Sequence, residues 1–279
     1  MDAMLTFLKL GGSLITDKDI PYSARKQTIK RLGIEIFSFL KKYPHQKILI
    51  GHGSGSFGHT AAANLGTIHG ARSLEEWRGF QSVWWAAHQL NQIVCEIFLE
   101  VGLPIISLPA SASVLTLDRS IIKWTSYPIK KSIQERLLPI LYGDVIFDQK
   151  IGATILSTEE LFSGLVGHLQ PHRILLVGKD AGVYKDFPHN KLQIKTITPE
   201  SYQRDFIHLG KSENTDVTGG MAAKVKEMLE IVQKNVKTQV QIFSGDIPGN
   251  VFNGLSGEHL GTIITASLLN TKYLSDINH

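Results

Sequence analysis

The sequence predicts an α/β fold with a largely parallel sheet. Short apolar segments, for example residues 47–50 and 173–177, alternate with longer segments in which apolar residues recur at helical spacing. Most of the short segments run into glycine, serine or aspartate, as strands do where they enter a turn. Ligands of parallel sheets bind beyond the carboxyl ends of the strands, so we expect a functional site at those turns.

The predicted elements follow one another in a regular order. Strands are expected at residues 5–10, 47–50, 104–108, 138–142, 145–148, 173–177, 192–197, 239–243 and 261–264, with a hairpin over 114–124. Helices are expected at residues 24–42, 73–100, 129–136, 157–167 and 221–235, with a short helix opening at Pro199. Ser73 and Glu76 have the spacing of a capping box at the start of the longest helix, and Gly102 closes that helix.

Length and composition limit the kind of protein. The 279 residues can bury a large core, as one domain or two lobes, and the net charge of +4 is mild. The lysines are scattered without a basic run, which disfavours nucleic acid or a membrane surface as a partner. Cys95 is the only cysteine, so no disulfide forms within the chain. The sequence shows no long apolar stretch and no signal-peptide pattern, and we expect a soluble, cytoplasmic protein.

The segment GHGSGSFGH, residues 51–59, directly follows an apolar strand. Its glycines and serines allow the backbone to fold closely around an anion and to present several N–H groups, as a phosphate-holding loop does. His52 is interpreted as a cap for local backbone groups, whereas His59 ends the segment and is the better ligand. Two alternatives stay open: a purely structural turn, and a dinucleotide fingerprint, although no new strand follows at the spacing that a dinucleotide fold needs.

Two further glycine motifs suit the same purpose. Gly11-Gly12 follows the first strand, and Thr218-Gly219-Gly220 precedes a helix. Backbone N–H groups at such turns can hold phosphate oxygens. Phosphoryl transfer needs mainly positioning and charge neutralisation, so a site built from backbone amides and lysines is sufficient in principle.

Three lysines and one carboxylate are candidates for the charged part of this site. Lys9 lies within an apolar strand, where burying a lysine costs free energy, so its presence there indicates a function. Lys18 and Lys224 are mobile point charges that could follow the transferred group, and Asp144 could orient the lysines. The alternatives are a solvated position for Lys18 and Lys224 and a simple turn residue for Asp144. The histidines show no ligand spacing, so no protein-bound metal site is expected.

Together these motifs resemble the amino acid kinase superfamily and, within it, the isopentenyl phosphate kinases. The likeness rests on residues 8–13 (LKLGGS) with Asp17-Lys18, residues 51–59, Gly143-Asp144, and residues 216–221 (DVTGGM) with Lys224. These motifs stand in the family's order over nearly the whole chain. The resemblance implies an open αβα sandwich with a mainly parallel central sheet, the amino acid kinase fold. It implies a homodimer whose subunit has an N-terminal phosphate-acceptor lobe, residues 1–156, and a C-terminal ATP-binding lobe, residues 157–279, on one continuous sheet.

The resemblance also implies an activity: ATP-dependent phosphorylation of isopentenyl phosphate to isopentenyl diphosphate, with Mg²⁺ arriving on the nucleotide. Lys9 and Lys18 would then neutralise the transferring group, and Asp144 would organise the lysines. The alkyl monophosphate would be bound by Ser54, Gly55, His59 and Thr158. ATP would be bound by Lys9, Gly11, Gly12, Ser13, Gly55, Asp180, Gly182, Gly219 and Lys224.

Three segments depart from the pattern that many members of the family carry. Ser54 stands between two glycines where three consecutive glycines are common, and a backbone amide survives that change. Residues 178–182 read GKDAG where Thr-Asp-Val-Asp-Gly is common. Residues 156–160 read LSTEE where a Ser-Gly-Asp stretch is common.

Two other functions compete with this one. A phosphonate kinase of the fosfomycin-resistance type has the same fold and a similar loop but a small, polar acceptor, and a nucleotide-sensing module would lack catalysis altogether. Isopentenyl phosphate needs an apolar pocket for its five-carbon tail, expected between the 51–59 segment and the helix that bears Trp77 and Trp85, with Phe80, Val83 and Trp84 as walls. The alternative for these aromatic residues is a place in the core or in a dimer interface.

Overall fold

The computed structural model describes residues 4–58, 70–186, 189–206 and 220–267. Its strands are β1 (Leu5–Leu10), β2 (Lys47–His52), β3 (Ile105–Ser107), β4 (Val114–Leu117), β5 (Ser120–Trp124), β6 (Leu138–Tyr142), β7 (Asp144–Asp148), β8 (Gly152–Leu156), β9 (Arg173–Gly178), β10 (Val183–Tyr184), β11 (Gln193–Ile194), β12 (Thr196–Ile197), β13 (Gln239–Ser244) and β14 (Thr262–Ile264). Its α-helices are α1 (Gly12–Ile15), α2 (Lys26–Lys42), α3 (Leu74–Glu100), α4 (Tyr127–Gln134), α5 (Thr158–Leu169), α6 (Pro199–Phe206), α7 (Gly220–Lys234) and α8 (Asn250–Leu255).

The largest sheet has eight strands in the order β12-β14-β13-β9-β1-β2-β6-β3. The strands from β13 to β3 in this order are all parallel, and only the β13–β14 pairing is antiparallel. The mainly parallel sheet predicted from the sequence is therefore confirmed. Strand β1 lies in the middle, with Lys9 opposite Gly51 of β2 and Leu176 of β9.

Helices cover both faces of this sheet. Leu8 and Leu10 of β1 point to one face, where they join a cluster with residues of α2, α3 and α8, such as Ile36, Leu90 and Val251. Phe7 of β1 alternates to the other face and joins residues of α4, α5 and α7. Apolar side chains on both faces of the strands explain why the predicted strands read as continuous apolar runs. The result is the expected open αβα sandwich.

A smaller four-stranded sheet, β5-β4-β7-β8, packs beside the first half of α3. Strands β4 and β5 form the hairpin that the sequence predicts over residues 114–124, and β7 pairs antiparallel with β8. The side chains of Trp77 and Phe80 on α3 contact Phe147 on β7, with ring centroids 6.0 and 5.0 Å apart. The aromatic residues of α3 thus belong partly to the packing between helix and sheet.

Most predicted elements are confirmed, and four short ones were missed. Ser73 caps α3 with both bonds of a capping box. The missed elements are α1, β8, β10 and α8, which have two to six residues and carry too few apolar positions for a periodicity. The single strand predicted over residues 192–197 is wrong, because it divides at Lys195 into β11, which pairs with β10, and β12, which pairs with β14.

The predicted lobe boundary at residue 156 stays a prediction, and strands from both sides of it share the eight-stranded sheet. Over the described ranges, the structure contains no helix with the length and apolar character needed to cross a membrane.

Candidate active site

Five neighbouring parallel strands, β13, β9, β1, β2 and β6, end at the same edge of the sheet. Hydrogen bonds tie the turn that follows each strand to its neighbour. Gly11 N–H donates to Val177 O at 2.7 Å, Gly53 N–H to Leu10 O at 3.0 Å and Gly245 N–H to Gly178 O at 2.8 Å. The turns therefore form one row, and the predicted gathering of the candidate residues at a single edge is observed for these segments.

The two glycine turns after β1 and β2 touch backbone to backbone. A Cβ atom on Gly12 would lie 2.5 Å from Gly55 N, and one on Gly53 would lie 2.8 Å from Gly12 N. Gly55 has a φ of +50° and would place a Cβ 2.7 Å from Gly12 O and against Thr16. Side chains of any size are excluded at this crossing, so the glycines bring two strands of backbone close to one point.

Several backbone N–H groups at this crossing have no acceptor within the part of the chain that the structure describes. Among the residues that the structure describes, the N–H groups of Gly12, Ser13, Ser54 and Gly55 donate to no acceptor. Ser56 N–H, by contrast, donates to Thr16 Oγ1 at 3.0 Å, and Thr16 Oγ1 in turn donates to Gly12 O. The segment also differs from the predicted nine-residue loop, since its first two residues end β2 and residues 55–58 are helical. Clustered N–H groups of this kind can bind an anion.

Lys9 is buried beside this crossing and paired with a carboxylate. It is the penultimate residue of β1, is 8% exposed, and forms an ion pair with Glu159, which is 4% exposed in the first turn of α5. Burial by itself raises the pKa of the Glu159 carboxyl. The charges of Lys9 and Lys224 lower this pKa by more than burial raises it, so the net shift is downward. Glu159 is therefore an ionised carboxylate that interacts with two of the three predicted lysines.

Glu159 belongs to the candidate site through its ion pair with Lys9, and the sequence reasoning did not identify it. It follows β8, which was also missed, and Leu156 at the end of β8 is opposite Asp144 in the β7–β8 pairing. That register carries residues 157–159 to the edge of the sheet where the parallel strands end. The signal that could have found it is a polar, acidic segment directly after a short apolar run, in the 156–160 segment that departs from the family's pattern.

Asp144 lies at the same edge but has other contacts. It is 1% exposed, and its carboxylate accepts hydrogen bonds from Ser111 N–H at 3.0 Å and from Val145 N–H at 2.9 Å. Burial raises the pKa of this carboxyl to about 6. The expectation was that Asp144 organises the lysines, but the carboxylate that contacts Lys9 in the structure is Glu159.

Thr158 and His52 join α5 to the end of β2. Thr158 is 1% exposed and donates its hydroxyl to His52 O at 2.7 Å. His52 is fully buried, with Nδ1 3.1 Å from Gly53 O and Nε2 3.3 Å from Asn91 Oδ1. Burial lowers the pKa of His52, although both hydrogen bonds oppose that shift. A neutral imidazole that bonds to local backbone agrees with the capping role expected for His52.

The remaining predicted residues lie in four different surroundings. Lys18 and Asp180 are exposed on turns, Lys18 two residues beyond Thr16 and Asp180 two residues beyond β9. Gly182 is buried, and a Cβ there would lie 2.7 Å from Thr262 Oγ1. Lys224 is half-buried on α7. His59 and Gly219 lie outside the described residues, as does most of the DVTGGM motif.

The three residues expected to wall an apolar pocket are in the core beside the site. Phe80 and Val83 are 9% and 4% exposed and share one apolar cluster with Phe57 of the 51–59 segment and Val145 of β7, while Trp84 packs partly buried against that cluster. A separate cavity of about 660 Å³ does lie between Phe57 and α3. Its lining residues are Tyr22, Phe57, Gln81, Ser82, Trp85, Ala86, Gln89 and Ile93, so none of the three expected walls belongs to it.

The chain is similar to known proteins over nearly its whole length. The model of the amino acid kinase family matches residues 4–244. The isopentenyl phosphate kinase of Methanocaldococcus jannaschii is 32% identical over 270 residues, which cover 95% of this chain and 100% of the relative. The isopentenyl phosphate kinase of Methanothermobacter thermautotrophicus is 32% identical over 269 residues, which cover 94% and 99%. A solved X-ray structure of an isopentenyl phosphate kinase matches with a TM-score of 0.78 and 27% identity, covering 94% of this chain and 100% of that one.

Proposed function

Since the chain belongs to the amino acid kinase family, we propose that it is an isopentenyl phosphate kinase, which transfers the γ-phosphoryl group of ATP to the phosphate of isopentenyl phosphate. The observation in this chain that carries the proposal is the buried Lys9–Glu159 pair beside two glycine turns, four of whose N–H groups have no acceptor among the described residues. Cationic and backbone donors converge there from β1, α7 and both turns, as a site for two anionic groups requires.

Phosphoryl transfer requires little covalent chemistry from the protein itself. An oxygen of the acceptor phosphate is already anionic, so it can attack the γ-phosphorus of ATP in line without a general base. The new phosphorus–oxygen bond forms while the bond to the β–γ bridging oxygen breaks, which gives isopentenyl diphosphate and ADP. The main obstacle is repulsion between the two phosphates, and Lys9, Lys224 and the N–H groups of the two turns would offset it.

Glu159 acts on this step as a positioning residue. Its carboxylate contacts the ammonium group of Lys9 from β1 and interacts with Lys224 from α7. A lysine has a long, flexible side chain, and a fixed carboxylate removes part of its freedom before the substrates bind. Glu159 thereby keeps two cations facing the same point.

The other assigned roles are carried over from the sequence as part of this proposal. Lys18 would stabilise the transferring group from its exposed turn, His59 would hold the acceptor phosphate with Ser54 and Gly55, and Asp180, Gly182 and Gly219 would contact ATP. Mg²⁺ would arrive on the nucleotide and neutralise phosphate charge when bound, and a cradle of lysines and N–H groups fits the negative charge that remains. We further propose that the protein is a homodimer and that it is located in the cytoplasm.

The hydrocarbon tail of the acceptor favours this function over phosphorylation of a small phosphonate. The cavity of about 660 Å³ between the 51–59 segment and α3 is lined in part by the apolar side chains of Phe57, Trp85 and Ile93. Burying a five-carbon tail against such side chains contributes favourable transfer free energy that a small polar acceptor lacks.

The direct test is turnover by the purified protein with MgATP. We expect isopentenyl diphosphate and ADP from isopentenyl phosphate, detected by mass spectrometry, and a kcat/KM for fosfomycin at least about a hundredfold lower, since specificity of this kind reflects several buried methylene groups. A preference for fosfomycin would instead identify a phosphonate kinase. ATP binding without transfer to either acceptor would identify the nucleotide-sensing module.

Glu159 and Asp144 make a matched pair of buried carboxylates for a second prediction. Glu159→Gln should lower kcat by about tenfold to a hundredfold, because it removes the charge that orients Lys9. Asp144→Asn should lower kcat less, since the Asp144 carboxylate bonds to the backbone of Ser111 and Val145. Steady-state kinetics on both variants, with thermal melting as a check on folding, measures the difference. A larger loss of kcat in Asp144→Asn than in Glu159→Gln would show that Asp144, and not Glu159, organises the lysines.

A further inference from the structure

The exposed Lys18 belongs to the segment that joins α1 to α2, residues 16–25, which we call the Lys18 loop. The two arms of this loop are bonded to each other. Asp17 N–H donates to Ser23 O at 2.9 Å, and an antiparallel bridge beside this bond closes the base of the loop. Lys18 is the first residue beyond the paired arms, so its position depends on how the loop is held.

The base of the Lys18 loop is fixed to α1 and to the turn after β13. Arg25 N–H donates to Ile15 O at 2.8 Å. The guanidinium group of Arg25 donates to Leu14 O at 3.0 Å and to the carboxylate of Asp246, in the turn after β13, at 3.1 Å. The base therefore has a fixed place beside the row of turns, and a movement of Lys18 has to arise in the part of the loop beyond the paired arms.

That far part of the Lys18 loop is held by an aromatic contact. The ring of Tyr22 packs edge-on against the ring of Phe57, with centroids 5.5 Å apart and an interplanar angle of 85°. Tyr22 has a φ of +55°, which is uncommon for an aromatic residue and costs free energy. Because the local backbone does not favour this conformation, the contact with Phe57 helps to determine where this end of the loop lies.

The two rings of this contact also line the cavity proposed for the acceptor tail. Tyr22 is 48% exposed, so part of its ring is available to a hydrocarbon tail in that cavity. Packing a tail against this surface would remove apolar area from water and stabilise the ring in its place. Lys18 precedes Tyr22 by four residues in the same loop, so ordering the ring also restricts the lysine.

We propose that Tyr22 is a positioning residue that couples the hydrocarbon tail of the acceptor to Lys18, so that a bound tail raises kcat and not only affinity. The inference rests on the proposed function, because it takes Lys18 as the cation that stabilises the transferring group and the cavity as the site of the tail. Binding free energy from a remote part of the substrate then holds a charged group in place for the transition state. Tyr22 would thus select monophosphates that carry a hydrocarbon tail.

Steady-state kinetics with isopentenyl phosphate and methyl phosphate, which share the phosphate group and differ in the tail, tests this. For the wild-type protein we expect kcat to be about tenfold higher or more with isopentenyl phosphate. In Tyr22→Ala, kcat for isopentenyl phosphate should fall towards the value for methyl phosphate, which itself should stay unchanged. Tyr22→Phe keeps the ring and should behave as the wild type. Ile20→Ala is a matched control, because Ile20 is exposed on the same loop and is not among the residues that line the cavity.

A second measurement shows whether Tyr22 acts through Lys18. Lys18→Met should lower kcat by itself, and adding Tyr22→Ala to it should cause little further loss, because the effect of the ring depends on the charge that is already removed. Two losses that multiply would overturn the coupling. Thermal melting of each variant checks that it is folded.

The remaining outcomes are also decisive. Equal losses of kcat for both acceptors in Tyr22→Ala would indicate a purely structural role for the ring, and a change in KM alone would show that the ring binds the tail without acting on Lys18. Either result overturns the inference, as does a wild-type kcat that is the same for both acceptors. These results leave the proposed function intact, since that function requires only turnover of isopentenyl phosphate by the wild-type protein. Absence of that turnover would reject the function and the inference with it.

Discussion

Replacing Lys9 by methionine is expected to lower kcat by about a thousandfold or more, the size of effect typical of a cation that neutralises a transferring phosphoryl group. Methionine preserves the length and apolar part of the side chain, so the strand β1 keeps its packing while the charge is lost. Rapid-quench or coupled measurement of ADP release at saturating isopentenyl phosphate and MgATP gives kcat directly. Because the lysine acts mainly in the transition state, the KM values should change much less than kcat.

The controls separate charge from folding. Lys9→Met leaves Glu159 buried without its ion-pair partner, which destabilises the protein and lowers its melting temperature. The double variant Lys9→Met/Glu159→Gln removes both charges, and we expect it to recover much of the melting temperature without recovering activity. Lys131→Met is a matched control, because Lys131 forms an exposed ion pair with Glu135 on α4. Near wild-type turnover in Lys9→Met would remove Lys9 from the mechanism.

Replacing Gly55 by alanine is expected to cost about 3 kcal/mol or more of unfolding free energy and to abolish turnover. The backbone at Gly55 has a φ of +50°, and the added Cβ would lie 2.7 Å from the carbonyl oxygen of Gly12, which is backbone and cannot move aside alone. The two glycine turns would have to separate, and the N–H groups that they present would lose their common target. Urea unfolding and steady-state kinetics on the same preparation measure both consequences.

The chain offers a glycine with the opposite environment as a control. Gly167 lies on the exposed side of α5, and a Cβ there would meet nothing within 4 Å. Gly167→Ala should be neutral or stabilise the protein by up to about 1 kcal/mol, because alanine has the higher helix propensity. Equal stability of the Gly55 and Gly167 variants would show that the close approach of the two turns is not needed for the fold.

Local patterns were sufficient for most of the fold. The capping box at Ser73, the apolar strand around Lys9 and the glycine turns each act within a few residues, so they are visible in the sequence. The division of residues 192–197 between two partner strands depends on tertiary pairing and could not be predicted from an apolar run.

The charged part of the site could likewise be predicted from local sequence only in part. Lys9 was singled out because an isolated lysine in an apolar strand is unusual whatever surrounds it. Its partner is 150 residues away along the chain. The spacing of Ser157 and Glu160 is the local pattern of a capping box, but no local pattern links Glu159 to Lys9. Only the β7–β8 register places Glu159 beside β1, and β8 was too short to be recognised.

The position of Lys9 on the central strand has a consequence for how such enzymes diverge. Lys9 is anchored by β2 on one side and β9 on the other, whereas most residues that line the cavity proposed for the acceptor tail belong to α3. Mutations on α3 can therefore reshape the accepted alkyl group and leave the charge centre intact. Substrate range and reaction type are thus separable traits in this architecture, and new acceptors can be explored without losing phosphoryl transfer.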